Sequence, residues 1–370
     1  MTQKNHLHEI EALGQAVWLD NISRALVEDG ELQRLVEEDG LSGVTSNPTI
    51  FEKAIAGSDR YDDALAAAAR DGLDARATFL RLAFADVRDG AVILRGVFDR
   101  TTGQDGYVSF ELLPEVADDA DASVEAAQRF FAEIDRPNVL IKVPGTEAGV
   151  RAFEELTARG VSVNVTLLFA VARYEEIAEA YLRGLERRVE AGEPVDRLAS
   201  VASFFVSRVD GKVDARLAEA GRENLAGKAG VANAKVAYAA FQRIFSGERW
   251  ERLAAVGANV QRPLWASTST KNPDYPDTLY VDNLIGPDTV NTMPDATLAA
   301  ARDHARAQRT LDAGADEAAA LLEELREAGV PFEDIVEREL VDEGVAAFAK
   351  SYDSLIETID QQLAKQGAAA

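Results

Sequence analysis

Hydrophobic and β-branched positions gather along this chain in eight short runs, each ending in polar residues, with stretches of helical periodicity between them. The first run is AVWLD, residues 16–20, after which Asn21 and Ser23 can cap a helix reaching about Glu38. The second, LSGVTSNPTIF at 41–51, is stopped by Asn47-Pro48, and Pro48 opens the next helix. Helical stretches are expected over Asp59–Arg70 and Asp74–Arg95. The third run, GYVSFELLP at 106–114, alternates Tyr107, Ser109 and Glu111 with Val108, Phe110 and Leu112. A helix over Ser123–Ile134 leads to the fourth, NVLIKVPGT at 138–146, and Thr146 starts another helix. The fifth is GVSVNVTLLF, 160–169, followed by a long helix to about Glu190; the sixth is LASVASFFVSRVD, 198–210. After a longer interval containing a helix marked by Ala234, Tyr238, Phe241 and Phe245 come RPLWASTST, 262–270, and DTVNTMP, 288–294. The chain closes on Val341, Val345, Phe348, Tyr352, Leu355 and Ile359, spaced 4, 3, 4, 3 and 4, the clearest amphipathic helix present. Its last residues, GAAA, are expected to fray.

Eight strands alternating with helices, without a Pro/Ser-rich linker or charge block, predict a single (β/α)8 TIM barrel over residues 1–370. An N-terminal helical extension over 1–15 and a C-terminal helix over 334–366 packing on the barrel complete it. The alternative, an open doubly wound sheet, would carry a Gly-rich phosphate turn after an early strand, and no G-x-G-x-x-G stands there.

One lysine stands out in that frame. Lys142 lies inside the apolar run VLIKV, near its C-terminal end, where lost hydration disfavours an ammonium and favours the free amine that Schiff-base chemistry needs. A side chain whose stem packs in the wall while its head snorkels to water explains the same pattern. Both readings stand on this stretch alone. The other strand ends tilt the balance, because in such a barrel they surround the active site. They bear Asp20, Thr45 with Asn47, Glu111, Asn164 with Thr166, Ser203 with Arg208, and Ser267 to Lys271. Asp20 and Glu111 can shuttle protons, and Arg208, Ser267 and Lys271 can hold a phosphate. Lys271 also reads as part of an exposed loop, TSTKNPDYPD.

Composition narrows the chemistry. There is no cysteine, and the three histidines are His6, His8 and His304, badly placed for a zinc site or a Ser–His–Asp triad. No metal or organic cofactor is expected. A net charge of −25, from 39 Lys+Arg against 64 Asp+Glu, argues against nucleic acid or an anionic membrane as partner but not against a small phosphorylated substrate. The opening residues lack the apolar run of a signal peptide, so a soluble cytoplasmic protein is expected, as a monomer or homodimer.

The ordered set VTSNPTIF, YVSFELLP, VLIKVPGT, SVNVTLLF and the Ser-x-Phe-x-x-Arg of SFFVSR closely resembles the transaldolase family, from about Ala16 to the terminal helix. The resemblance implies a (β/α)8 barrel, Lys142 as the Schiff-base lysine and Asp20 as acid/base in carbon–carbon cleavage. It implies that Glu111 and Thr166 hold a catalytic water, and that Asn47, Asn164 and Ser203 bind the hydroxyls of a three-carbon unit. Arg208 and Ser267 would grip the phosphate. The implied substrates are sedoheptulose 7-phosphate and glyceraldehyde 3-phosphate, exchanged for erythrose 4-phosphate and fructose 6-phosphate in the pentose phosphate pathway. One departure is visible: where the family commonly has Ala-Ser-Phe-Arg, this chain has Ala266-Ser267-Thr268-Ser269, and Lys271 is the nearest replacement for the missing arginine. A fructose-6-phosphate aldolase resembles a shorter chain and tends to carry Tyr where Phe205 stands, which favours the transferase. A non-catalytic sugar-phosphate-binding barrel would need no strand-buried lysine flanked by two carboxylates. A pyridoxal-phosphate enzyme would need a Gly-rich cradle near its lysine, and none appears.

Overall fold

The structure, a computed structural model, describes residues 5–369, with side chains at the C-terminus through Gln366. Eight strands close into an all-parallel barrel in chain order: β1 (Gln15–Leu19), β2 (Gly43–Thr45), β3 (Tyr107–Glu111), β4 (Val139–Pro144), β5 (Val163–Leu168), β6 (Ser200–Phe205), β7 (Gln261–Ala266) and β8 (Thr289–Met293). β1 pairs with β8 from Gln15↔Thr289 to Leu19↔Met293, which closes the ring. The eight expected strands are present, each shorter than or offset from its apolar run. The second run shrinks to three residues because Asn47 caps a helix, Pro48–Ala56, through its side chain. The sixth ends at Phe205, and the helix Ser207–Glu219 takes over with Val209, Val213 and Leu217 buried. Arg208 therefore lies on a helical first turn rather than on a strand.

Alternation along the strands sorts side chains into two cores. Ala16, Trp18, Tyr107, Leu140, Val201, Leu264 and Val290 fill the barrel interior. Their neighbours Val17, Leu19, Val108, Ile141, Val143, Phe204 and Met293 face the helical layer. Gly43 has no alternative in this interior: a Cβ there would sit 2.4 Å from the Trp18 indole.

The outer layer departs from expectation in places. The helix expected from about Asn21 to Glu38 is two, Arg24–Glu28 and Glu31–Glu38, separated at Gly30 with φ +75. The helix capped by Asp74 runs to Arg100, not Arg95. At the N-terminus a helix, His6–Ala12, buries Leu7 and Ile10, and Gln15 already belongs to β1; residues 1–4 lie outside the described residues. At the C-terminus a π-helical turn, Ile335–Glu339, precedes the helix Leu340–Ala369, whose Tyr352, Leu355 and Ile359 are buried. Ala370, the end of the segment expected to fray, is outside the described residues. No described helix is long and apolar enough to cross a membrane.

Candidate active site

Period-2 alternation carries the interior upward to the C-terminal rim of the barrel, where polar side chains replace apolar ones. Ala16 and Trp18 are followed by Asp20, Tyr107 and Ser109 by Glu111, and Leu140 by Lys142. β5 breaks the rule usefully. Its register with β6 slips between Val165 and Leu168, and Leu167 has φ +60, so Thr166 and Leu167 both line the cavity while Leu168 rejoins the outer core. The rim encloses a cavity of about 680 Å³.

Lys142 lies on this floor, 7% exposed. Its Nζ donates to the Ser46 carbonyl at 2.9 Å and meets Glu111 Oε1 at 2.6 Å. The two are register partners on β4 and β3, and Asn164 is the partner of Lys142 on β5. The carboxylate offsets much of the cost of burying a cation, and Ser46 is itself anchored by a hydroxyl bond to the Ser109 carbonyl at 2.8 Å. The second oxygen of Glu111, Oε2, is buried with no protein hydrogen-bond partner. Burial pushes the Glu111 carboxyl above its ordinary range, and Lys142 opposes that rise.

Asp20, immediately after β1, is raised by burial in the same way, again opposed by Lys142 and by a hydrogen bond from Thr45 Oγ1 at 2.7 Å. Ser203, on the cavity lining, donates to Asn164 Oδ1 at 2.7 Å, and Asn164 Nδ2 donates to Ser109 Oγ at 3.1 Å. Asn164 is fully buried and lies just below the lining. Asn47 lines the cavity, but its Oδ1 accepts from the Ile50 amide at 3.0 Å, which leaves its Nδ2 as the group free to donate.

Across the cavity, Phe205 packs on Phe169 and supports the Arg208 guanidinium 5.3 Å above its ring. Ser267, held at φ +55, shares a 2.8 Å hydroxyl contact with Ser207. Lys271 lines the same region, exposed, with Nζ donating to Ser269 Oγ at 2.7 Å. Neither Arg208 nor Lys271 forms an ion pair among the described residues. Two unpaired cations at one mouth suit a dianion.

Other lining groups carried no signal in the sequence. Lys53 comes from the helix after β2, Thr292 from β8, and Asp295 from the first turn of the helix after it, Asp295–His304, where it accepts from Asn21 Nδ2 at 3.0 Å. The C-terminal helix forms the roof through Gly344, Val345, Ala347, Phe348 and Ser351. Ser351 and Ser354 tie it to Thr49 and Glu52 on the helix after β2. The amphipathic stripe indicated that this helix packs, but not against what. Among the described residues no group of three His, Asp or Glu side chains is arranged to hold a metal ion.

The family model described as transaldolase/fructose-6-phosphate aldolase matches residues 17–359. A protein named transaldolase from Parafrankia sp. is 48% identical, over 96% of this chain and 98% of its own length. Another named transaldolase, from Thiobacillus denitrificans, is 48% identical over 96% and 99%. A third, named transaldolase 2, from Nostoc sp., is 46% identical over 96% and 97%.

Proposed function

Because this chain belongs to the transaldolase/fructose-6-phosphate aldolase family, we propose that it transfers a dihydroxyacetone unit, as a transaldolase, through a Schiff base on Lys142. The observation that carries the assignment of residue is the buried Lys142–Glu111 pair at 2.6 Å on the cavity floor.

Glu111, receptive because burial raises its carboxyl, takes a proton from the Lys142 ammonium. The freed amine attacks the ketone of a ketose phosphate, and the carbinolamine loses water to give an iminium. Glu111 and Thr166 hold the water of these steps, using the open Glu111 Oε2. The iminium then accepts the C3–C4 bonding electrons while Asp20 takes the C4 hydroxyl proton. An aldose phosphate leaves, and an enamine of dihydroxyacetone stays on Lys142. A second aldose phosphate accepts the enamine carbon, Asp20 returns its proton to the new hydroxyl, and the water held by Glu111 and Thr166 hydrolyses the product iminium, freeing the ketose phosphate and the Lys142 amine. Thr45, Asn47, Asn164 and Ser203 orient the three-carbon unit; Arg208, Ser267 and Lys271 hold the phosphate. The apolar Phe205 ring offers the enamine no proton, which favours transfer over release of free dihydroxyacetone.

Sedoheptulose 7-phosphate and glyceraldehyde 3-phosphate are the substrates in one direction, erythrose 4-phosphate and fructose 6-phosphate the products. The reaction belongs to the pentose phosphate pathway and needs no cofactor. The enzyme works in the cytoplasm, as a monomer or homodimer, on phosphorylated sugars and not on nucleic acid. Borohydride reduction with fructose 6-phosphate, followed by peptide mapping, should place a three-carbon adduct on the peptide carrying Lys142. Absence of that adduct would refute the covalent mechanism. Free dihydroxyacetone accumulating without an acceptor would identify a lyase instead.

A further inference from the structure

Asp20 is served by a chain of hydroxyls that extends beyond Thr45. β8 and β2 flank β1, and their side chains Thr292 and Thr45 meet in front of it with oxygens 2.8 Å apart. Thr45 Oγ1 is in turn 2.7 Å from Asp20 Oδ1. Both threonines are almost fully buried, at 3% and 5% exposure. A hydroxyl has one proton to donate, and an ionised carboxylate only accepts. When Asp20 is charged, the Thr45 proton is committed to it, so the bond between the threonines must be donated by Thr292. When Asp20 is protonated, it can donate to Thr45, which then donates to Thr292. Two rotor settings thus match the two protonation states, without moving a heavy atom.

Thr292 is itself held. The Thr268 hydroxyl, fully buried in the loop after β7, lies 3.0 Å from Asn291 Oδ1 and 3.3 Å from the Thr292 carbonyl. We propose that Thr292 is a positioning residue for carbon–carbon cleavage, orienting the Thr45 hydroxyl so that Asp20 is held ready as a base and is stabilised again once it carries the proton. The inference rests on Asp20 being the acid/base of the reaction. In the cleavage step the C4 hydroxyl proton goes to Asp20, the C3–C4 electrons go to the iminium nitrogen, and the threonine rotors reverse. The proton returns by the same route when the acceptor adds, so no proton is lost or gained overall.

Thr292→Val keeps the shape and removes the hydroxyl. The charged groups facing Asp20 are Lys142 on β4, Glu111 on β3, Asp295 after β8 and, at the rim, Lys53; the roof residues of the C-terminal helix are uncharged. None of them is changed by the substitution. In single turnovers with fructose 6-phosphate, release of glyceraldehyde 3-phosphate should slow by about 5- to 30-fold, the loss of one bond in a charge-assisted chain. KM should change little. The acidic limb of the cleavage rate should move to higher pH, because the charged form of Asp20 loses a stronger, charge-assisted support than the protonated form does. Borohydride trapping of substrate on Lys142 should persist, and Thr292→Ser should restore both rate and pH profile. A slowed Thr292→Val enzyme with an unmoved pH profile and no rescue by serine would reduce Thr292 to a packing role and overturn the proposal. Unchanged cleavage in Thr292→Val, with cleavage lost in Asp20→Asn, would overturn the hydroxyl chain alone. Cleavage retained in Asp20→Asn would remove the premise and the proposal together.

Discussion

At the scale of single residues, the cavity separates a buried amine–carboxylate pair from the unpaired cations at its mouth. Lys142 and Glu111 occupy the floor, while Arg208, Ser267 and Lys271 line the opposite wall. Arg208→Ala should raise KM for phosphorylated sugars by roughly 10- to 150-fold, as expected for a charge-assisted bond to a dianion. Lys271→Ala should raise it by only about 2- to 10-fold, since an exposed point charge on a flexible stem is screened. Steady-state kinetics with erythrose 4-phosphate as acceptor would check both, and an unchanged constant for Lys271→Ala would remove it from the phosphate grip. Lys142, Asp20 and Glu111 were legible because a charge at the end of an apolar run is conspicuous. Thr292 was not, since TVNTMP offers no cue that its second threonine meets a hydroxyl two strands away. Lys53 was hidden by sitting on an ordinary helical surface. The ion pair between Lys142 and Glu111 was also out of reach, because alternation gives the face of a residue but not its register with a neighbour.

At the scale of elements, the helix Ser207–Glu219 sets Arg208 over the cavity and is itself pinned from below. Asp210, 1% exposed, accepts from the Gly230 amide at 2.7 Å and the Tyr280 hydroxyl at 2.8 Å. Burial pushes its carboxyl up to about 6, despite those bonds. A native pKa above the unfolded one means that the folded state holds the proton more tightly. Stability from this group is therefore fully present below about pH 4 and is lost as pH rises through about 6. Urea midpoints of wild type and Asp210→Asn, compared at about pH 4 and about pH 7, should show wild type losing ground to the variant as pH rises. An unvarying difference would mean that folding leaves the Asp210 pKa unchanged. In the C-terminal helix, Leu355 is fully buried, and Tyr352 meets Phe79 edge-on at 6.1 Å between centroids. Leu355→Ala should cost about 2–5 kcal/mol of stability, read as a lower denaturant midpoint. The C-terminal helix was legible from apolar spacing, whereas the helix Ser207–Glu219 was not, because its first residues lie within the sixth run. The switch from strand to helix at Phe205–Ser207 falls inside SFFVSRVD, which holds no Gly, Pro or Asn to mark a turn, and the break at Gly30 depends on a single positive φ.

At the scale of the whole molecule, the ring closes only when Gln15 and its neighbours find Thr289 to Met293, and the roof forms only when Leu340–Ala369 packs on helices near the start of the chain. Contacts of such long sequence separation form slowly, because a large loop must be closed before they stabilise anything. A ribosome making about 5–20 residues per second spends well over ten seconds between emitting β1 and emitting its partner. Throughout that interval the first strand presents an open hydrogen-bonding edge, Trp18 has no finished interior to fill, and Asp20 lacks the hydroxyl of Thr292. Manufacture of this enzyme is therefore all or nothing: a nascent chain halted between β4 and β8 carries Lys142 but neither the closed wall nor the Thr292 hydroxyl that meets Thr45. Lys142 on β4 leaves the ribosome well before β8, so the amine waits in an open half-barrel for the wall that completes its cavity.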